Sequence, residues 1–315
     1  MSRPAPWKLA LLPLLIAPAL VACGSDDSGT DAGTADGLAA VSVTGDVGAE
    51  PKVEWKEAMA ADSEDDTTTA VTGDGPKLTD ADTALVALTI GNGFDKKTVY
   101  SSYTNGSGLE SVDLSGADTL PVLKDNLVGA TVGSRILVTA NAKDVFSGAG
   151  NSSLGIGNED PLLFVLDVLG PFTPSGTFPA TAKGTVPGVT VDGDGKPTGL
   201  TFAASKPDPK LALTVVSKGT GPAVTLDGPL AVDYLGQVYG ASKPFDQSYS
   251  KGQPLVGKLS GLVKGWQKEL VGLPAGSRVL LSIPPKYGYG SAGQPSAGIK
   301  GTDTIVFAID ILAAG

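Results

Sequence analysis

The sequence predicts an α+β fold made of two tandem domains, each with a β-sheet and one short helix. Residues 279–283 and 305–309 alternate apolar and other side chains, as strands with one face on a core do. Between residues 261 and 270, Leu262, Trp266 and Leu270 recur at helical spacing, so one face of this segment points inward. A related pattern further upstream indicates that the whole arrangement occurs twice.

The composition agrees with β-rich domains that contain many turns. The 315 residues include 43 Gly and 23 Pro, with 6% aromatic and 18% charged residues, and this length accommodates about two domains. The net charge of −10 repels phosphate backbones and argues against nucleic acid as a partner. With no histidine and one cysteine, the common zinc ligand sets, histidine-based triads and intrachain disulfides are excluded.

Residues 1–22 have the layout of a secretory signal, because Arg3 and Lys8 precede an apolar run too short for a comfortable membrane span. The run ends in L-V-A-C at Cys23 and resembles a bacterial lipobox. That resemblance implies cleavage before Cys23 and lipidation of its thiol and amino group. Multiple acyl chains would hold the protein stably at the extracytoplasmic face of the cell membrane. The alternative is an ordinary signal peptide with a chance cysteine.

Residues 23–37 are predicted to be a disordered tether, since Gly, Ser, Asp and Thr leave almost nothing to bury. An internal repeat then defines the domains. Arg135 aligns with Arg278 at an offset of 143 (278 minus 135), and the same register places Phe164 on Phe307.

We therefore predict a first domain at 38–170, a linker rich in Pro, Thr and Gly at 171–185, and a second domain at 186–315. The glycine turns at 73–76 and 219–222 align more loosely. Residues 192–195 read D-G-D-G, which favours a hairpin turn over a calcium loop, because no glutamate follows at the twelfth position.

The second domain carries six motifs in a fixed order. They are Y-x-G at 234–236, F-D-x-S at 245–248, L-V-K-G-W at 262–266, G-S-R at 276–278, I-P-P-x-Y-x-Y-G at 283–290 and V-F-x-I-D-I-L at 306–312. In this order they resemble the FKBP family of peptidyl-prolyl cis/trans isomerases, over about the last 100 residues. The resemblance implies a strongly twisted antiparallel sheet, a half-barrel, wrapped around a short α-helix with the ligand pocket between them.

Rotation about an X–Pro bond requires no nucleophile and no cofactor. Its barrier is about 18–20 kcal/mol, because the planar amide loses resonance on twisting, and the uncatalysed step takes roughly tens to hundreds of seconds. A catalyst must hold the proline ring in a dry pocket and favour the twisted amide. An apolar, aromatic-lined cleft with a few polar groups meets this requirement.

The resemblance implies the positions of the pocket residues: Trp266 as the floor; Tyr234, Phe245, Val263 and Phe307 as walls; Ile299 at the rim; Tyr289 and Asp246 as polar groups. The Tyr289 hydroxyl and the backbone N–H of Val263 would donate to substrate carbonyls. Asp246 would act electrostatically beside the twisting carbonyl. Neither a metal nor a cofactor is implied.

Two departures from the family pattern concern the second domain. Residues 253–255 read Q-P-L where the family often has an aromatic pair, so one wall is predicted to be thinner, with Leu255 as a partial replacement. Gln294 stands where some relatives have histidine.

The first domain is predicted to fold like the second without isomerising prolines. The repeat register replaces Trp266 by Leu123 and Tyr289 by Phe146. A looser alignment upstream puts Thr89 at Tyr234 and residues 99–100 at 245–246, whereas an alternative alignment would use residues 94–95.

Three functions remain open from the sequence. The first is a peptidyl-prolyl isomerase that assists the folding of exported, proline-containing polypeptides and accepts tacrolimus-like macrolides. The second is a lipid-anchored chaperone or adaptor that binds such segments without turnover. The third is a structural surface lipoprotein, against which the set of pocket residues argues.

Overall fold

The computed structural model describes residues 34–63, 65–105 and 107–315. The predicted signal peptide, Cys23 and most of the predicted tether lie outside the described residues. The end of that tether is ordered, because Thr34–Ala35 forms a short strand that pairs with Ala58–Met59. Among the described residues, no helix has the length and apolar character needed to cross a membrane.

Within the described residues up to 170, the first half contains ten strands and two α-helices. The strands are β1 (Thr34–Ala35), β2 (Val41–Thr44), β3 (Lys52–Trp55), β4 (Ala58–Met59), β5 (Asp66–Val71), β6 (Thr83–Asn92), β7 (Lys97–Ser101), β8 (Glu110–Asp113), β9 (Arg135–Asn141) and β10 (Pro161–Gly170). The helices are α1 (Pro121–Leu127) and α2 (Ala142–Val145).

The second half contains eight strands and one α-helix. The strands are β11 (Gly188–Val191), β12 (Pro197–Thr201), β13 (Ala212–Ser217), β14 (Pro229–Val238), β15 (Asp246–Gln247), β16 (Leu255–Lys258), β17 (Arg278–Ile283) and β18 (Ile305–Ala314). The helix is α3 (Lys264–Glu269).

The two large sheets have the same strand order. The first runs β5-β9-β10-β6-β7 with β8 also paired to β6, and the second runs β13-β17-β18-β14-β15 with β16 also paired to β14. Every one of these pairs is antiparallel. Helix α1 packs against β9 and α3 against β17. The predicted α+β class is therefore confirmed.

Helix α3 packs unusually close to its sheet because it contains a glycine. A Cβ atom built on Gly265 would lie 2.8 Å from side-chain carbons of Ile283 on β17, closer than real Cβ contacts. The same face of the helix buries Trp266, which is 3% exposed, and Leu270 follows it into the core. The helical spacing read from the sequence thus identifies the buried face.

A hairpin covers the outer face of each large sheet. Strands β2 and β3 place Val41 over Leu163, and strands β11 and β12 place Val189 and Leu200 over Leu280. The D-G-D-G segment is the turn between β11 and β12, where the Asp192 carboxylate accepts backbone hydrogen bonds from residues 194 and 196. The hairpin prediction is confirmed, and the described residues contain no cluster of metal-binding side chains.

The segment predicted to be a linker is packed against both halves of the molecule. Phe172 is 8% exposed, and its backbone N–H donates to the Leu312 carbonyl at 2.7 Å. Its ring lies between two glycine turns, since Cβ atoms built on Gly75 and Gly221 would be 3.3 and 2.7 Å from it. Phe178 is equally buried. The two phenylalanines explain why a segment of low-charge linker composition does not behave as a free spacer.

The two large sheets also share an apolar interface. Leu85 and Leu169 of the first sheet pack with Ala231 and Ala313 of the second. The described residues from 34 onwards consequently form one compact unit.

Each half contains an Arg–Asp pair, buried in the first half and partly buried in the second, that holds the segment preceding its sheet. Arg135 donates to both oxygens of Asp167 at 2.6 Å and to the Gly45 carbonyl at 2.8 Å. Arg278 donates to both oxygens of Asp310 at 2.7 Å and to the Gly176 carbonyl at 2.5 Å. Paired fork-like donation of this kind fixes geometry as well as charge.

Candidate active site

Four aromatic rings meet between the second sheet and α3. Trp266 stands edge-on to Phe307 with ring centroids 5.1 Å apart and an interplanar angle of 90°. Phe245 meets Phe307 at 5.7 Å and 88°, and Tyr234 meets Trp266 at 5.9 Å and 81°. These are the edge-to-face geometries that aromatic pairs prefer. Four of the predicted pocket residues therefore form one cluster.

The strand register explains how residues distant in sequence reach this cluster. Gly236 on β14 lies opposite Phe307 on β18 and opposite Asp246 on β15. A Cβ atom at this glycine would lie 2.6 Å from the Phe307 ring and 2.7 Å from the Phe245 ring. Only glycine leaves room for both rings, which gives the Y-x-G motif a physical cause.

Asp246 forms the polar edge of the cluster. Its Oδ2 accepts from the Tyr234 hydroxyl at 2.5 Å, and its Oδ1 accepts from Lys251 Nζ at 2.8 Å and from the Gln247 backbone N–H at 2.9 Å. Burial acts to raise the pKa of Asp246, but the hydrogen bonds from Lys251 and Tyr234 outweigh it, so the pKa lies below its usual value. The carboxylate is thus a fixed negative charge at neutral pH.

The remaining predicted site residues lie around the same helix and loop. Val263 is the N-cap residue of α3, and its side chain and the half-buried Tyr289 both pack against the core cluster. Backbone N–H groups at a helix start have no intrahelical acceptor, which suits Val263 as a donor. Ile299, predicted to lie at the pocket rim, is 3% exposed and packs in the same core cluster as Trp266.

The Trp266 ring carries a donor that the protein leaves unused. Its Nε1 is buried and has no hydrogen-bond partner among the described residues. A buried donor without a partner is costly. The family resemblance placed the ring at the floor of the pocket, and nothing in the spacing indicates the unused donor.

The wall predicted to be thin contains a small cavity. Leu255 on β16 lines a space of about 30 Å³ together with Leu230, Val232 and Leu262. A leucine therefore replaces an aromatic side chain only in part. Gln294 is exposed, and its backbone forms a bridge with Ile299.

The corresponding position in the first sheet lacks the polar pair. In the strand pairing, Phe164 faces Ile90 as Phe307 faces Gly236, so Leu88 occupies the position of Tyr234. The looser alignment that placed Thr89 there is wrong by one residue. Leu123 and Phe146 stand where the repeat register places Trp266 and Tyr289, and both pack on the core cluster.

Tyr100 takes the position of Asp246, as residues 99–100 were predicted to do. Its hydroxyl donates to Glu110, and burial, followed by that hydrogen bond, raises the pKa of Tyr100. Phe94 is 65% exposed in the turn between β6 and β7. The alternative alignment through residues 94–95 is therefore excluded.

Sequence reasoning missed two residues that hold the polar edge. Lys251 donates to Asp246. The only signal for this role in the sequence is that Lys251 follows Asp246 by five residues. Ser248 accepts from the Tyr234 backbone N–H at 2.8 Å. It is the serine of the F-D-x-S motif, so the signal was present but its meaning was not evident.

Comparison with known proteins places these features in one family. A family model described as FKBP-type peptidyl-prolyl cis-trans isomerase matches residues 223–312. The FKBP-type peptidyl-prolyl cis-trans isomerase FkpA of Escherichia coli K12 is 39% identical over 83 residues, which cover 26% of this chain and 30% of FkpA. A probable FK506-binding protein of Corynebacterium glutamicum is 37% identical over 89 residues, which cover 28% of this chain and 72% of that protein.

Among solved structures, the crystal structure of FkpA from Escherichia coli is similar at 37% identity with a TM-score of 0.31. That match covers 32% of this chain and 46% of that one. The chain thus spans less than half the length of the FkpA relatives it matches. The family match begins after β13 and includes α3, β14–β17, β18 as far as residue 312, and all the predicted pocket residues.

Proposed function

The chain belongs to the FKBP-type peptidyl-prolyl cis-trans isomerases, and we propose that its second sheet catalyses rotation about X–Pro bonds in polypeptides. The observation that carries this proposal is the aromatic cluster around Trp266 with the Tyr234–Asp246 pair at its edge. Apolar walls would receive the proline ring, and the fixed carboxylate would face the amide that twists.

The chemistry follows from how an amide changes when it rotates. In the planar amide, resonance gives the carbonyl oxygen extra negative charge, and twisting removes that charge. The Asp246 carboxylate repels the planar form more than the twisted form, so its charge lowers the barrier. A dry aromatic pocket adds to this effect, because it solvates the larger dipole of the planar amide poorly.

The decisive assay measures the cis/trans exchange of an X–Pro tetrapeptide by protease coupling or NMR. The protein should comprise residues 24–315, because a shorter form that begins at residue 37 would remove β1. Catalysed exchange supports an isomerase. Saturable binding of the peptide without faster exchange would instead support the second candidate, a proline-segment-binding chaperone or adaptor.

The same pocket would accept tacrolimus-like macrolides. A relative is named as a probable FK506-binding protein, and in this chain Phe245, Trp266 and Phe307 supply aromatic walls of the kind such ligands require. Titration of the ligand against Trp266 fluorescence tests this. A Trp266→Phe variant identifies the signal among the three tryptophans of the chain.

We propose further that the first sheet is a non-catalytic FKBP-like domain that serves as a spacer or a docking domain for clients. Leu88 and Tyr100 replace Tyr234 and Asp246 there, which removes the fixed carboxylate. Separate expression of the halves is a poor test, since Phe172 and the shared apolar interface would be exposed. The full chain with Asp246→Asn and Phe245→Ala combined should lose catalysed exchange, and persistent turnover would assign activity to the first sheet.

We propose that Cys23 anchors the protein by acyl chains at the extracytoplasmic face of the membrane, where its clients would be exported polypeptides. The support is the position of the single cysteine directly after L-V-A. A Cys23→Ser variant should move from the membrane fraction to the soluble fraction. Retention in the membrane pellet would reject the anchor.

A further inference from the structure

We propose that Asp233 is a positioning residue for this pocket: through Ser248 it holds Tyr234, and Tyr234 in turn holds the Asp246 carboxylate. The inference rests on the proposed isomerase function for its catalytic consequence. The positioning itself depends only on contacts in the second sheet. Asp233 lies on β14 next to Tyr234, with its side chain on the opposite face of the strand from the pocket.

The first link is an unusual acceptor for a strand N–H. The Ser248 backbone N–H donates to the Tyr234 carbonyl at 2.9 Å, as in a regular ladder. The return bond, however, runs from the Tyr234 N–H to Ser248 Oγ at 2.8 Å, because Ser248 has the helical angles φ −99° and ψ −32°, which end the strand. The Ser248 side chain therefore replaces a backbone carbonyl at the point where Tyr234 is fixed.

The second link connects this hydroxyl to a charge. Ser248 Oγ donates to Asp233 Oδ1 at 2.7 Å. A hydroxyl that donates to a carboxylate becomes a stronger acceptor, since hydrogen bonds in a chain polarise one another. The backbone of Tyr234 is thus held by Asp233 through Ser248, while its phenol donates to Asp246 at 2.5 Å.

The surroundings of Asp233 do not favour its charge. In the strand register it lies directly opposite Asp310 on β18, whose oxygens both bind Arg278 on β17. Lys196 from the covering hairpin and the buried Tyr249 are the other ionisable groups that face this cluster. Burial raises the pKa of Asp233; Ser248 and Lys196 counter the shift in part, and Asp310 adds to it.

This shift has a definite consequence for stability. A carboxyl whose pKa is raised in the folded state stabilises the fold only when it is protonated, and this contribution is lost as the pH rises through the folded-state pKa. Above its folded-state pKa, Asp233 therefore does not stabilise the fold through its charge. Its presence is better explained by what it positions.

The first sheet serves as an internal control. At the corresponding positions, the Leu88 N–H donates to Ser102 Oγ at 3.0 Å, and Ser102 Oγ donates to the Gly108 carbonyl at 3.2 Å. Ala87 stands in the place of Asp233. The strand ending therefore forms without a carboxylate. The first sheet lacks both the tyrosine–carboxylate pair and an aspartate at this position, whereas the second sheet has both.

The experiment uses residues 24–315 with Asp233→Ala, which reproduces the first sheet, and Asp233→Asn, which keeps an acceptor without charge. The exposed Asp227→Asn is the matched control. We expect kcat/KM to fall about three- to tenfold in Asp233→Ala, mainly through kcat, and less in Asp233→Asn. The thermal midpoint at pH 7 should be unchanged or higher in Asp233→Asn.

The pH profile separates positioning from packing. In the parent, kcat/KM should fall on the acid side with a midpoint above the ordinary carboxyl pKa of about 3.9, and Asp233→Asn should lack that limb. An unchanged kcat/KM in Asp233→Ala would overturn the proposal. So would a loss of kcat/KM in both Asp233 variants that is matched by an equal loss of thermal stability.

A second measurement does not depend on turnover. The ¹³Cζ resonance of Tyr234 in tyrosine-labelled protein, assigned with Tyr234→Phe, reports on the phenol hydrogen bond to Asp246. It should shift in Asp233→Ala and remain in place in Asp227→Asn. If the parent has no activity but the resonance shifts, the isomerase function fails and the positioning stands. An unmoved resonance overturns the positioning whatever the activity.

Discussion

Asp246 binds two polar side chains at the edge of the aromatic cluster, Tyr234 and Lys251. Its oxygens accept from Tyr234, Lys251 and a backbone N–H, so the carboxylate has one orientation. Because its proposed role is electrostatic, the charge matters more than the shape of the side chain. This makes Asp246 the residue at which function and stability can best be separated.

We predict that Asp246→Asn lowers kcat/KM about tenfold, equivalent to about 1.4 kcal/mol of transition-state stabilisation. The thermal midpoint at pH 7 should fall only slightly, because the amide keeps the shape and the acceptor for Tyr234 and loses only the charge beside Lys251. Exchange kinetics beside a thermal melt provide the measurement, with Asp227→Asn as the control. Parallel losses of rate and stability would make Asp246 a structural residue only.

The lowered pKa of Asp246 gives a second prediction about pH. A carboxyl whose folded-state pKa is depressed stabilises the protein above its unfolded pKa, and that contribution disappears as the pH falls through the folded value. The difference in thermal midpoint between the parent and Asp246→Asn should therefore be present at pH 7 and shrink below about pH 4. A difference that grows on acidification would contradict the assignment of the shift.

At the scale of the elements, β16 is the weakest wall of the pocket. We predict that Leu255→Phe fills the cavity of about 30 Å³ beside Leu262 and adds an aromatic contact. Such contacts contribute about 0.5–1.5 kcal/mol beyond area burial, so affinity for a tacrolimus-like macrolide should rise about two- to tenfold.

Calorimetric titration of this variant needs a control that adds the same ring elsewhere. Leu226→Phe is suitable, because Leu226 is 43% exposed and does not line the cavity. A gain in both variants would indicate non-specific binding. A loss of thermal stability in Leu255→Phe alone would mean that the cavity cannot accommodate the ring.

The elements also show how far the sequence could be interpreted. Helix α3 was predictable, because its one buried face sets a clear period. Strands β17 and β18 were predictable from their β-rich apolar runs, although both faces of these strands are buried in the structure. The upstream alignment failed by one residue at Thr89, because the constant offset of the repeat holds only in its second part. Leu88 and Tyr234 are 146 apart (234 minus 88) where Phe164 and Phe307 are 143 apart. The first repeat therefore has three more residues than the second between these two positions, and only the strand register revealed them.

For the candidate site, the sequence motifs named the aromatic residues and Asp246 that the structure brings together. They did not reveal the links through Ser248 and Lys251, because these depend on where the chain turns after β15. The burial of Ile299 was likewise not predictable, since its loop has no periodic pattern.

At the scale of the whole molecule, Phe172 joins the two halves. Its ring fills the space between the glycine turns at residues 75 and 221. Composition suggested a short linker, and the pseudo-symmetric cleft that receives the Phe172 ring is a tertiary feature with no local signal. The two sheets are therefore expected to unfold together.

We predict that the parent melts in one calorimetric transition and that Phe172→Ala separates it into two. Truncation of a buried phenylalanine costs about 3–5 kcal/mol of folding stability. At Phe172 this lost stability would weaken the contact between the two halves of the molecule. Phe178→Ala is the matched control, because Phe178 is equally buried but packs on the outer face of the second sheet, with Arg278 over its ring. Two transitions in both variants, or in neither, would contradict a junction role for Phe172.

The position of β10 and β18 has a consequence for how the chain reaches this structure. Each is the last strand of its sheet in sequence yet lies at the sheet's centre, between β9 and β6 or between β17 and β14. During synthesis, the earlier strands emerge before the central strand that joins them. Val232 on β14, for example, can pair with Ile311 only after β18 has been synthesised. Pairings this distant in sequence make folding slow and leave strand edges open meanwhile. For this protein, the time of greatest exposure to aggregation is the interval before each central strand arrives.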